Sequence, residues 1–383
     1  MGLHFSKNEF ALRKAKVLKE MKEQNIDALL MFRQESMYWL TGYDTFGYVF
    51  FQTLVLDIKG NIILLTREPD LRQAQNTSNI KDIRIWVDKY QSNPTNDLKI
   101  ILDELNLKGK NLGVEYEAYG LTGRNALRLN KSLENYCKID DKSELITKLR
   151  VVKSDEEINF VRKAAVLADK ALDEVWKYTK SGVSESKILA EMNRVIFEGG
   201  GDYPANEFII GSGKNALLCR YQSEKQIFNN HDQLTIEWAG TYRHYHSAMF
   251  RTIPIGKADP KHYKMHEACI KALINCEKNL KPGNKIGKVF DVHAKTFDDL
   301  GYKNSRMNAC GYSLGSTFSP NWMDWPMIYT GNPYIIQEGN VFFLHMILMD
   351  SENKLAMNLG ETYLVTKSGN ERLGKQTMEL VVL

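Results

Sequence analysis

The 383-residue chain is predicted to carry a smaller α/β domain over residues 1–150 and a larger α+β domain over residues 151–383. Two observations lead there. The length exceeds what one hydrophobic core usually fills, so two domains are the expectation. Helical and strand-like patterns alternate up to residue 150, whereas beyond it two helices come first and strands dominate afterwards, the order of an α+β domain.

Each element has its own signal. Residues 8–22 are amphipathic at helical spacing, and the apolar runs 28–32, 52–56 and 61–65 read as strands. The charged stretch Asp140-Asp141-Lys142-Ser143 separates the halves, and Ser154 followed by Glu157 is a capping box that starts a long helix. SGVSES, residues 181–186, starts a second helix through Phe197, which Gly199-Gly200-Gly201 ends. Strands are then expected at 208–210, 233–238, 341–349 and 361–366, with a helix at 262–280 between them.

Composition excludes several classes. Apolar content of 43% and charged content of 26% suit a folded globular chain, and 51 basic against 47 acidic residues, interspersed, leave no basic stripe for a nucleic acid. No run of about eighteen apolar residues exists to cross a membrane as a helix, so no membrane partner is expected. Five cysteines, odd in number and without a CxxC pair, fit reduced thiols in a cytoplasm.

Five quoted segments carry a resemblance. LRVVKSDEEINFVRKAA, TIEWAGTYRHYHSAMFRT, NACGYSLG and GETYLVTKSGNERL, together with MYWLTGYDTFGY in the first domain, are similar in order and spacing to the creatinase and aminopeptidase-P (M24) superfamily. The resemblance implies a creatinase-type N-terminal domain followed by a catalytic domain of the pita-bread fold. It also implies a comparison with five metal ligands, two acids, a histidine and two glutamates, that hold two divalent cations in the metallopeptidases. Those positions fall here on Glu237, Ala248, Tyr312, His345 and the neighbourhood of Gly360, with Glu361 beside it. Hard cations need bridging anionic oxygens, so this set predicts no metal and no other cofactor. GGDYPA, EWAG and LHM resemble the metal-independent, ectoine hydrolase-like and creatinase-like branch, which cleaves C–N bonds in small zwitterions. Arg220, in CRYQS, stands where that branch carries a histidine, which points away from ectoine itself. Other readings are a Xaa-Pro peptidase with a rebuilt metal site, a lyase acting on an osmolyte such as dimethylsulfoniopropionate, and a member that only binds its solute.

Within that frame Glu237, ending the apolar run LTIE, is the expected nucleophile or general base, because partial desolvation raises a carboxyl's pKa. His345, in the buried run VFFLHMILM, and His246 are expected to move protons, with Glu361 fixing the tautomer of His345. His244 and His246 read as one face of a strand at period two, a pair that can also join His345 and Glu237 around a zinc ion. Arg220 is the expected carboxylate clamp. Asp202 and Tyr203, after three glycines, as well as His244, Tyr312 and Trp325 are placed around a small zwitterionic substrate. Arg251 is expected to have a structural partner. In the resembling family the loop holding Tyr43, Asp44 and Tyr48 reaches a neighbour's site, which implies a homodimer.

Overall fold

The computed structural model describes residues 2–383. The chain divides into two compact units, Met1–Arg150 and Val151–Leu383. In the first, helices α1 (Lys7–Glu23), α2 (Gln34–Thr41), α3 (Glu68–Thr77), α4 (Pro94–Glu104), α5 (Gly123–Leu133) and α6 (Glu144–Arg150) accompany six strands. These are β1 (Ala28–Met31), β2 (Thr53–Asp57), β3 (Ile62–Arg67), β4 (Asp82–Trp86), β5 (Asn111–Val114) and β6 (Lys138–Asp141). They form one mixed sheet in the order β4-β3-β2-β1-β5-β6. Side chains alternate across a strand, and both faces here are covered: Leu30, Val55 and Leu112 enter one core, Leu29, Leu54 and Leu64 the other. That two-sided burial is why residues 28–32 read as an unbroken apolar run.

The second unit contains α7 (Asp155–Tyr178), α8 (Glu185–Glu198), α9 (Pro260–Asn279) and α10 (Ile286–Asp299). Its strands are β7 (Ile209–Ser212), β8 (Asp232–Tyr242), β9 (Tyr245–Ile255), β10 (Gly311–Ser313), β11 (Asp324–Met327), β12 (Val341–Asp350), β13 (Leu355–Thr366) and β14 (Gly369–Arg372). The expected capping box is present at the start of α7: Glu157 N donates to Ser154 Oγ at 3.4 Å and Ser154 N to Glu157 Oε2 at 2.9 Å. The strands pair antiparallel in the order β11-β10-β12-β13-β9-β8-β7, with β14 on β13.

One face of this sheet meets helices. Trp238 donates its indole N–H to the carbonyl of Ala168 on α7 at 3.0 Å. At Gly240, two residues on, a Cβ would lie 2.0 Å from the carbonyl oxygen of Ala164, so only glycine permits this approach of β8 to α7. Leu344, Met346 and Leu359 pack with Ala272 and Val289 of α9 and α10 in one apolar core. By the period of two, Glu237 on β8, Phe250 on β9, Gly360 on β13 and His345 on β12 point to the other face. The register puts them in one row, Glu237 opposite Phe250, Phe250 opposite Gly360, and Gly360 opposite His345.

Two expectations change. His244 is not on a strand face: Arg243 and His244 are the two turn residues between β8 and β9, at φ of 52° and 63°, the pattern of a tight hairpin. The strand expected from Glu361 begins six residues earlier, at Leu355.

Candidate active site

The row across the sheet gathers three of the expected groups. Tyr312, opposite Phe343 on β12, donates its hydroxyl to Glu237 Oε1 at 3.0 Å. Its ring lies 5.8 Å from that of His345, centroid to centroid, and 5.4 Å from that of Phe343. Glu237 and His345 are each only 9% exposed. Burial pushes the Glu237 carboxyl up to about 7 against the opposing pull of the Tyr312 hydrogen bond and the Arg220 charge. Burial pushes the His345 imidazole down to about 4, so the ring is neutral near pH 7. Arg220 itself is exposed, with Nη1 donating to the carbonyl of Cys219 at 2.6 Å. The Cys219 thiol lies in the same field: burial and the Glu237 carboxylate raise its pKa while Arg220 lowers it.

Trp322 belongs to this group and was not singled out among the expected site residues. Its indole N–H donates to the Tyr312 hydroxyl at 2.9 Å, and its ring lies 6.3 Å from that of His246. The signal is the aromatic-rich run SPNWMDWPMIYTGNPY, which holds Trp322 as well as the expected Trp325. Trp325 stands edge-on to Tyr334, with ring centroids 5.2 Å apart.

Several expected roles are corrected by geometry. Glu361 lies on the helix-covered face, opposite Leu344, and pairs with Arg251 and, at 3.6 Å, with Arg372. It therefore does not orient His345, whose Nδ1 is buried without a hydrogen-bond partner among the described residues. Arg251 has the structural partner expected of it. His246 faces the row, yet both its nitrogens are engaged: Nε2 accepts from Ala205 N at 3.0 Å, which puts the ring proton on Nδ1, 3.2 Å from Thr317 Oγ1. Burial drives this ring down to about 3. Both nitrogens are thus spent on the loops at Ala205 and Thr317, so in this arrangement the ring offers neither to a substrate. His244 stacks on Phe318 at 4.1 Å, and its carbonyl accepts from Thr317 N at 3.1 Å.

Asp202 accepts from the backbone N–H of Arg243 and donates its own N–H to Thr241 O at 3.0 Å, so it anchors the hairpin turn. Tyr203 is 80% exposed and edge-on to Phe197. It lines a cleft of ≈ 490 Å³ with Ala205, Phe208, Tyr221 and Ser319, a lining that Glu237, Tyr312 and His345 do not share. In the first unit Tyr43 is fully buried, its hydroxyl 3.1 Å from Gln52 Oε1, and burial raises its pKa. It is a core residue there, so it has no surface to offer a neighbour. Asp44 accepts through its carbonyl from Gln73 and donates its N–H to Thr77 Oγ1 at 3.1 Å.

The row also tests for metals. Among the described residues no three His, Cys, Asp or Glu side chains cluster closely enough to hold an ion. Ala248 offers no donor, and a Cβ at Gly360 would lie 2.6 Å from Phe343 Cζ and 2.8 Å from Phe250 Cβ. The place of a fifth ligand is filled by aromatic carbon. The residues present do not fit a two-cation centre, nor the zinc set of His244, His246, His345 and Glu237.

An antiparallel sheet of this topology, with helices on one face and a buried acid on the other, defines a class that the comparisons identify. Residues 159–367 match Metallopeptidase family M24, and residues 13–152 match the Creatinase/Prolidase N-terminal domain. The chain belongs to the M24 family of hydrolases, with an α/β creatinase-type domain before an α+β pita-bread domain. It is 26% identical over 398 aligned residues to an ectoine hydrolase of Halomonas elongata, covering 100% of this chain and 99% of that protein. It is also 26% identical over 372 residues to a Xaa-Pro dipeptidase of Pyrococcus horikoshii, covering 96% and 97%. The recombinant prolidase of Thermococcus sibiricus superposes with a TM-score of 0.87 at 20% identity, over 98% of this chain and 99% of that one. No helix of the described residues is long and apolar enough to cross a membrane.

Proposed function

We propose that the chain hydrolyses a C–N bond in a small zwitterionic solute without a metal, using Glu237 as nucleophile or general base. The observation that carries the reading is a buried carboxyl on β8, pushed up to about 7, that accepts a single side-chain hydrogen bond, from Tyr312. A base titrating near working pH is present in its active form and still able to return the proton. In the base form of the mechanism, Glu237 takes a proton from water as its oxygen adds to the carbon, and passes that proton to the departing nitrogen. In the nucleophile form its oxygen adds to the carbon as the C–N bond breaks and the nitrogen leaves with a proton from solvent, and one water then hydrolyses the resulting ester, giving the acid and restoring the Glu237 carboxylate. His345, neutral and adjacent to Tyr312, is the second proton acceptor. Arg220 holds the substrate carboxylate, and its exposure leaves the guanidinium accessible to an entering anion.

The full-length similarity to an ectoine hydrolase supports this reading, and the donor set disfavours the dipeptidase alternative at the same identity. A homodimer in the cytoplasm remains part of the proposal. With Tyr43 in the core, the residues of that loop able to meet a second copy are Phe46, Val49 and Phe50, which are 69%, 45% and 49% exposed.

The test is a panel of cyclic amidines, lactams, guanidino acids, betaines and sulfonium zwitterions, screened by thermal shift and then by turnover. Glu237→Gln is expected to keep binding and lose at least ~10²-fold in kcat, the lower range for a lost acid–base group. Undiminished turnover in that variant, or Xaa-Pro dipeptide cleavage that appears only with added Mn or Co, ends the proposal.

A further inference from the structure

Three side chains from three parts of the second unit form one hydrogen-bonded line: Trp322 in the loop before β11, Tyr312 on β10 and Glu237 on β8. The two spacings are 2.9 Å and 3.0 Å, and Trp322 and Tyr312 are 2% and 3% exposed. The direction of the line follows from the donors and acceptors present. An indole has one N–H and no acceptor, so Trp322 can only donate. The Tyr312 hydroxyl has one hydrogen, and Glu237 Oε1 is the acceptor it reaches among the described residues, so donation there leaves every hydrogen of the line used. In this arrangement Glu237 Oε1 is an acceptor, and Oε2 is the oxygen left open to the proton that the carboxyl binds or releases.

Without Trp322 the same two residues have a choice. The Tyr312 oxygen is then a better acceptor and its O–H a weaker donor, so a protonated Glu237 could turn its own hydrogen toward it, and both carboxyl oxygens would become equivalent in role. We infer that Trp322 is a positioning residue that fixes the polarity of the Tyr312–Glu237 hydrogen bond and so reserves Glu237 Oε2 for the reacting atoms. Donation from Trp322 also polarises the Tyr312 O–H and strengthens what it gives to Glu237, since linked hydrogen bonds reinforce one another in a low-dielectric interior.

The surroundings hold the tryptophan in place. His246, spent at both nitrogens on Ala205 and Thr317, stands 6.3 Å from the Trp322 ring and pins the loop that carries it. This gives the buried neutral histidine a purpose that proton transfer does not.

The inference deepens the reading of Glu237 as the working acid, and its test needs no substrate. Infrared spectra of protein labelled with ¹³C-glutamate, taken at a pH where Glu237 is ionised and with the Glu237→Gln spectrum subtracted, isolate the carboxylate stretch of Glu237. That stretch reports the strength of the hydrogen bond Glu237 accepts. Tyr312→Phe is expected to shift it most, Trp322→Phe to shift it less in the same direction, and the double variant to match Tyr312→Phe alone. A benzothienylalanine at position 322 keeps the ring's size, removes the N–H, and gives the same shift if the phenylalanine variant folds poorly. No shift on removing the indole N–H, or an equal shift in the Tyr312→Phe background, overturns the inference, because Trp322 would then act by packing. Loss of turnover in Glu237→Gln is a separate measurement, so failure of the hydrolase reading and failure of this one are told apart.

Discussion

Glu115 in the first unit and Glu237 in the second begin alike. Each is a buried glutamate on the sheet of its unit or at its edge, and burial pushes each carboxyl up to about 7. Their hydrogen bonds differ. Glu115 receives three donors: Phe32 N and Arg33 N at 3.0 Å each on Oε2, and Ser36 Oγ at 2.6 Å on Oε1. It ties the start of α2 to the end of β5, and both oxygens are used. Glu237 receives one, from Tyr312, on one oxygen. A raised pKa therefore does not by itself mark a working acid. What separates the two is unused bonding capacity beside the exposed Arg220, which Glu237 has and Glu115 lacks.

The largest effect that can break this comparison is on stability. Glu115→Leu leaves three buried donors unpaired at roughly 1–3 kcal/mol each, so a loss of at least ~3 kcal/mol is expected in urea titration. Glu237→Leu strands a single hydroxyl and is expected to cost about a third of that. Similar losses in the two variants would mean that Glu237 is as structural as Glu115.

A second test uses pH. The folded Glu237 carboxyl titrates at about 7 against an ordinary 4.5, so between those values the folded chain holds a proton that the unfolded chain has released. Its contribution to stability is present below 4.5 and lost as pH rises through 7. Glutamine carries no such proton. Glu237→Gln is expected to be more stable than wild type at pH 8, and the gap should shrink by ~2–3 kcal/mol by pH 5. The neutral imidazoles of His246, His293 and His345, held down at about 3, 3 and 4, act in the opposite sense but alike in both proteins, so they cancel in the difference. A constant gap across that range would show that Glu237 is not a titrating buried acid.

Much of this was legible in the sequence, and the exceptions have physical causes. Continuous apolar runs gave β1, β8 and β12, and Ser154 with Glu157 gave the start of α7, because burial and capping leave local patterns. Glu237, Tyr312 and His345 could be set together through family spacing. The turn at Arg243 and His244 could not be read, because left-handed turn residues are usually glycine or asparagine and here a carboxylate from Asp202, 41 residues from Arg243 in sequence, supports them. Glu361 was misplaced by one residue of register, which in a strand is a whole face. Trp322 and Trp325 lie three residues apart in one irregular stretch, and nothing in a local pattern says which indole turns inward.

The smallest expected effect is the sharpest probe of what separates the two acids. Arg220 favours the ionised form of Glu237 from an exposed position, so its influence passes partly through water and is open to screening. Arg220→Gln is expected to raise the pH at which Glu237 ionises by less than one unit in the infrared titration. The shift should be largest at ~0.01 M salt, where charges act over about 30 Å, and should fade toward 1 M, where they act over about 3 Å. The same variant is expected to raise KM for a substrate carboxylate by ~10-fold, the loss of about 1.4 kcal/mol of charge-assisted bonding, with kcat changed much less. Glu115, whose nearby cation is Arg33, should not respond to the substitution at all. If Glu237 is equally indifferent at low salt, then Arg220 does not face the carboxylate, and the clamp must be sought on another side chain.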